Sequence, residues 1–254
     1  MSITRESELT GMKNASAAVA LTLREMRNYT RPGITTKELD DFGGELLRDM
    51  GAKSAPRLTY GFPGWTCISL NHEIAHGMPG TDKVIQDGDL INIDVSAELD
   101  GFWSDNGGSF VVGADVKDHQ RLVDTSRRIL QLAINNIRGG VLLSDIGHLI
   151  ETQAKKSGYR VIKNLTGHGI GRSLHEEPSG IANYRDKSDR TRFRKNSVVA
   201  VETFISTDST IAKVGEDGWT LFGDRGGFVA QHEHTLVVTD GIPVILTEMN
   251  AIWS

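Results

Sequence analysis

Leu9, Met12, Ala15, Val19, Leu23 and Met26 recur at steps of three and four residues. That period gathers the apolar groups on one helical face, and it predicts an amphipathic helix that stops before Pro32-Gly33. A second helix follows: Thr35 and Glu38 have capping-box spacing, Leu39, Phe42, Leu46 and Met50 form its apolar stripe, and Gly51 supplies the stop. From Trp65 to Gly113 the period changes to alternation, which predicts short strands with tight turns at Asp87-Gly88 and Asp100-Gly101.

The same order then returns. Leu122, Ile129, Ala133 and Ile137 mark a helix, Gly139-Gly140 breaks it, and a shorter helix from Ser144 carries Ile146, Ile150 and Ala154. Strands are predicted over 159–165, 198–205, 228–238 and 243–247, with the polar stretch between Leu174 and Lys195 as a long loop. Two helix-helix-strand halves, 1–113 and 114–254, predict an α+β fold in a single domain, although no residue-level identity links them. Helices covering one face of a continuous curved antiparallel sheet would leave its concave face for a site.

Composition narrows the function. At 254 residues and 38% apolar content the chain is long enough to bury a substantial core. The net charge of −5, from 33 acidic and 28 basic residues spread along the sequence, gives no basic footprint for nucleic acid. A lone cysteine, Cys67, has no partner for an internal disulfide, and the first residues lack the apolar core of a signal peptide. No apolar run approaches the roughly 20 residues that cross a bilayer. A reducing cytoplasm and a monomer are the expectations.

Candidate chemistry lies in four places. Ile91, Ile93 and Val95 alternate with Asn92, Asp94 and Ser96, so Asp94 belongs to the polar face of a strand. If Asp100-Gly101 is a two-residue turn, Ser96 faces Asp105 and Asp94 is its diagonal neighbour, roughly 7–8 Å away at the backbone. The two carboxylates then either grip one cation or face water. His168 sits between Gly167 and Gly169, which relieve steric limits and allow a sharp path that aims the imidazole. The glycine spacing and Pro178 oppose a phosphate loop, and Ser179 and Pro178 break the helical zinc motif that His175-Glu176 would begin. Glu202 and Glu233 each interrupt an apolar strand-forming stretch, and each is either on a wet face or buried and in need of a partner.

Together these segments resemble the type I methionine aminopeptidases, bacterial form, across nearly the whole chain. The resemblance rests on Thr66-Cys67-Ile68-Ser69-Leu70-Asn71, Ala75-His76-Gly77-Met78-Pro79, Gly88-Asp89-Leu90-Ile91-Asn92-Ile93-Asp94-Val95 and Ser104-Asp105. Gly167-His168-Gly169-Ile170-Gly171 with His175-Glu176-Glu177-Pro178, Val201-Glu202 and Gln231-His232-Glu233-His234-Thr235 complete the order. It implies the duplicated pita-bread fold and two divalent metal ions, with Mn, Fe, Co or Zn as candidates, held by Asp94, Asp105, His168, Glu202 and Glu233. Four carboxylates suit two divalent cations, and one nitrogen with no thiolate favours the harder ions. The resemblance further implies His76 and His175 as substrate-contacting catalytic histidines and Glu202 as a proton shuttle. It places Cys67, Phe62 and Trp219 around a methionine side chain, although Trp219 reads equally as an ordinary core aromatic.

The implied activity is removal of the initiator methionine from nascent chains and peptides with a small second residue. Transient contact with the ribosome would accompany it, though no docking motif is readable. Another pita-bread peptidase acting on X-Pro bonds, or an inactive peptide-binding relative, is the alternative. Three positions depart from the family pattern: Thr203 where proline is usual, Asn106 where threonine is common, and His232 where tyrosine or an aliphatic residue is typical. Thr203 restores a backbone N–H and is expected to loosen its strand, changing metal affinity or rate.

Overall fold

The computed structural model describes residues 1–253. Its first half runs α1 (Glu6–Tyr29), α2 (Thr36–Asp49), β1 (Lys53–Ser54), α3 (Ala55–Tyr60), β2 (Cys67–Leu70), β3 (Glu73–Ala75), β4 (Leu90–Leu99) and β5 (Phe102–Val111). The second half runs α4 (Gln120–Asn136), α5 (Leu143–Lys156), β6 (Arg160–Val161), β7 (Thr166–Gly169), β8 (Glu176–Ala182) and β9 (Val198–Ser206). It closes with β10 (Ala212–Val214), β11 (Leu221–Gly223), β12 (Val229–Val237) and β13 (Val244–Ile245).

The helices form where the period placed them. In α1, Met12, Ala15, Val19, Leu23 and Met26 are buried against β4 and β5, and each larger side chain so buried contributes about 1.5–3 kcal/mol. Thr35 caps α2, its hydroxyl accepting from Glu38 N at 3.1 Å while the Glu38 carboxylate accepts from Thr35 N at 2.8 Å. Leu47, rather than Leu46, joins Leu39 as a fully buried leucine of that helix. Gly51 ends it in the left-handed region, with φ 75°.

The strands expected to be short between Trp65 and Gly113 include a ten-residue pair, β4 and β5. Asp100 (φ 51°) and Gly101 (φ 80°) make the two-residue turn between them. Leu99 pairs with Phe102, Ser96 with Asp105 and Asp94 with Gly107, which is the register the turn dictates. The main antiparallel sheet has the order β1-β4-β5-β12-β9-β7-β8. It repeats internally: β1 and β2 lie along the outer edge of β4, as β6 and β7 lie along the outer edge of β9. The halves meet where β5 pairs with β12. Helix α1 covers β4 and β5, and α4 covers β9 and β12. Curvature and helices thus leave one face of the sheet for chemistry, as in the pita-bread architecture.

Several expectations need correction. The strand predicted over 159–165 shrinks to Arg160–Val161, and the predicted loop between Leu174 and Lys195 contains β8. That strand escaped notice because, among the described residues, it pairs only with β7 and reads Glu-Glu-Pro-Ser-Gly; an edge strand tolerates proline and polar groups that a central one would not. Thr203 does not loosen β9, which runs unbroken from Val198 to Ser206 with Thr203 paired to His232. Behind them Ser126 of α4 lies 3.1 Å from the Thr203 hydroxyl and 3.0 Å from His232 Nδ1. Asn106 is satisfied as well, donating to Val95 O and accepting from Asn250 Nδ2, both at 3.0 Å. All three departures point away from the carboxylate face, because their strand neighbours Glu202, Glu233 and Asp105 point toward it.

Candidate metal centre

Four central strands deliver the carboxylates. Asp94 on β4 and Asp105 on β5 share a face as diagonal neighbours. Glu202 on β9 and Glu233 on β12 are directly opposite. Like charges so placed repel unless a proton or a cation separates them. His168 on β7 pairs with Ala200, two residues from Glu202, so its ring enters the same space. The side-chain donors of Asp105, His168 and Glu233 all lie within 4.8 Å of one another. Asp94 and Glu202 border the same cavity, completing the set named from the sequence.

Glycines flank His168 for a reason other than backbone freedom. A Cβ at Gly167 would stand 2.5 Å from Ala200 O, and one at Gly169 would stand 2.3 Å from Glu177 O. Their absence of a side chain lets β7 approach β9 and β8 closely, which is what carries His168 to the centre. The His168 Nδ1 is 3.0 Å from Gly169 O. A carbonyl only accepts, so Nδ1 bears the proton and Nε2 is left as a lone-pair donor, 3.8 Å from Asp105 Oδ2. Burial, then the neighbouring His175, lowers the His168 pKa to about 4, which keeps the ring neutral and able to ligate.

The carboxylates carry the matching signature. Burial raises the Asp94 pKa to about 6. Burial, followed by the charges of Glu233 and Asp94, holds Asp105 well above the usual range; burial, Asp94 and Asp105 do the same to Glu202, and burial, Glu202 and Asp94 to Glu233. Asp105 Oδ1 and Glu233 Oε1 are buried without a hydrogen-bond partner among the described residues. Unpartnered anionic oxygens converging on one neutral imidazole nitrogen fit divalent cations, which would displace the protons and supply the missing partners.

A cavity of about 350 Å³ opens beside this cluster. Cys67, paired in register with Asp94, lies on its wall, where burial and the nearby carboxylates push the thiol up and keep it protonated. Phe62 and Trp219 also line it and pack edge to face, with ring centroids 5.2 Å apart. Trp219 is therefore a cavity aromatic rather than a core one. The rings of His76 and His175 reach the same cavity, with the His175 ring centred 4.1 Å from that of His168. Desolvation lowers both pKa values, and the charge of His175 adds to the effect at His76, whose backbone is left-handed (φ 52°).

Tyr60 was missed in the sequence. Its hydroxyl lies 2.6 Å from His175 Nδ1, and as the stronger donor of the pair it leaves Nε2–H facing the cavity. The signals were local: proline at the start of α3 and left-handed Gly61 (φ 72°) at its end bracket a helix too short to show a period.

Comparison with known proteins fits this geometry. The model of metallopeptidase family M24 matches residues 10–240. Methionine aminopeptidase 2 of Bacillus subtilis is 45% identical over 98% of this chain and 100% of its own. The methionine aminopeptidase of Thermotoga maritima superposes with a TM-score of 0.92 at 35% identity, covering 97% of this chain and 99% of that one. The Xaa-Pro dipeptidase of Bacillus anthracis is 20% identical with a TM-score of 0.77, and this chain spans only 62% of it. That last likeness is one of fold alone.

Proposed function

Because the chain belongs to metallopeptidase family M24, we propose, on the cavity geometry and its full-length relatives, that it is a type I methionine aminopeptidase of the bacterial form. It is a methionine aminopeptidase, a metal-dependent hydrolase that removes N-terminal methionine. The observation that carries the reading is the convergence of unpartnered carboxylate oxygens and a neutral histidine beside a cavity walled by Phe62, Trp219 and Cys67. In this reading residues 1–254 form one catalytic unit, halved near Gly113, that acts as a cytoplasmic monomer on nascent chains and meets them through transient contact at the ribosome.

Asp94, Asp105, His168, Glu202 and Glu233 would hold two divalent ions, with Mn and Fe favoured by the oxygen-rich set and Co and Zn as further candidates. Such ions, when bound, supply Lewis acidity and lower the pKa of water. The cavity's apolar and sulfur-bearing walls suit a flexible thioether. His175, set by Tyr60 with Nε2–H toward the cavity, donates to the oxygen of the first carbonyl as charge develops there. Glu202 takes the proton of the attacking water. His76 donates to the scissile nitrogen as its bond to the carbonyl carbon breaks and the shortened peptide leaves as an amine.

Hydrolysis of Met-Ala-Ser against Leu-Ala-Ser and X-Pro peptides, by chelated enzyme reloaded separately with Mn, Fe, Co and Zn, tests this. Metal-dependent release of methionine alone is expected. X-Pro cleavage would move the chain to the prolidase branch of the fold, and inactivity with every metal would favour a peptide-binding protein.

A further inference from the structure

Gln231, in the Gln231-His232-Glu233-His234-Thr235 segment, has no role in the mechanism above. Gln231 is 1% exposed and stands two residues before Glu233 on β12, so it shares the carboxylate face. Its Nε2 donates to Glu233 Oε2 at 3.0 Å, and Glu202 stands directly opposite Glu233 on β9. The direction of the amide is fixed from behind. Asn92 Nδ2 lies 2.8 Å from Gln231 Oε1, and an amide NH₂ only donates, so the oxygen must face Asn92 and the nitrogen must face Glu233.

Asn92 is itself held, its Nδ2 3.1 Å from Ser109 Oγ, and that hydroxyl accepts from Gln231 N at 2.9 Å. Space for the amide comes from Gly107, opposite Asp94, where a Cβ would stand 2.4 Å from Gln231 Oε1.

We propose that Gln231 is a positioning residue of the metal centre, a neutral clamp that holds one oxygen of Glu233 through its amide and leaves the other to the cations. The oxygen pattern follows from the clamp: Oε2 of Glu233 is bonded to Gln231, and Oε1 is the atom left without a partner. A neutral donor suits this position. It orients a ligand carboxylate without adding a charge that would compete with the metals. The inference rests on the reading that Glu202 and Glu233 ligate metal.

The test uses the chelated full-length protein and two variants, Gln231→Met, which keeps length and removes both amide atoms, and Asn92→Leu, which frees the amide to turn. Mn²⁺ dissociation constants are measured by calorimetry and the visible spectrum of the Co²⁺-loaded protein is recorded beside them. Loss of an outer hydrogen bond to a ligand costs roughly 10- to 100-fold in metal affinity, and that weakening is expected in Gln231→Met together with an altered Co²⁺ spectrum. Asn92→Leu is expected to move both readouts in the same direction by less. A folded Gln231→Met protein with wild-type Mn²⁺ affinity and Co²⁺ spectrum would overturn the proposal, since a purely structural role would lower only the melting temperature. Should Gln231→Met fail to fold, unchanged affinity and spectrum in Asn92→Leu would overturn it alike. Absence of Mn²⁺ binding by the wild-type chain would instead remove the metal-centre reading on which the clamp depends.

Discussion

Asp94, Asp105, Glu202 and Glu233 would repel one another if all were ionised without a counter-charge, and burial raises the pKa of each. In the metal-free protein they therefore hold protons that an exposed carboxylate would have lost. Entering metal must displace those protons, whereas His168, with its pKa lowered to about 4, is already neutral. Metal affinity is thus expected to rise as pH climbs through about 6, with net proton release on binding; calorimetry in buffers of different ionisation enthalpy reads both. A flat affinity across that range would contradict it. His76 supplies a second prediction. Its lowered pKa leaves only a minor imidazolium fraction at pH 7, and that fraction is the form that protonates the departing nitrogen, a general-acid contribution worth roughly 10²–10⁴-fold. His76→Ala should lose turnover by that order while metal stoichiometry stays unchanged; an unaltered kcat would take His76 out of the reaction.

Strands β7 and β9 show how a side-chain-free position can matter as much as a ligand. Replacing Gly167 by alanine puts a Cβ 2.5 Å from Ala200 O, and β7 must retreat from β9 to relieve it. Overpacking of this kind costs about 1–3 kcal/mol, so Gly167→Ala is expected to lower the melting temperature and, by withdrawing His168, to weaken metal binding as well. Differential scanning calorimetry in chelator and in Mn²⁺ separates the two effects. The sequence showed the glycines but suggested backbone freedom; close approach depends on a neighbouring strand 33 residues away, since Gly167 faces Ala200 and Val201. Where partners are local, the sequence was readable. Asp100-Gly101 fixed the β4–β5 register and with it the meeting of Asp94 and Asp105. β8 was not readable, because a polar edge strand owes its existence to β7 and not to its own composition. Tyr60 lay in a helix of six residues, shorter than the window in which a helical period appears.

The internal duplication gives the centre its form. Each half contributes a strand pair, β4 with β5 and β9 with β12, and each pair brings two carboxylates to the common face. The outer strand differs: β2 offers Cys67 on the cavity wall, whereas β7, its counterpart along β9, offers His168. At this outer position one half gives a wall residue and the other the nitrogen donor, while Trp219 of the second half completes the apolar wall. That division was legible only in outline, as a repeated order of helices and strands, because the halves share architecture without residue identity. Full-length likeness to methionine aminopeptidases, against a likeness of fold alone to an Xaa-Pro dipeptidase, agrees with a cavity whose wall is partly apolar and carries Cys67. The decisive experiment is parallel measurement of bound Mn²⁺ and methionine release from Met-Ala-Ser, on the same chelated and dialysed samples of wild-type protein and Asp105→Asn. Both quantities should rise together in the wild type, and in Asp105→Asn affinity should fall by more than roughly 100-fold, the upper end for loss of an outer hydrogen bond. Methionine release without metal, or undiminished release and binding in Asp105→Asn, would contradict the assignment of this cluster as the catalytic metal centre.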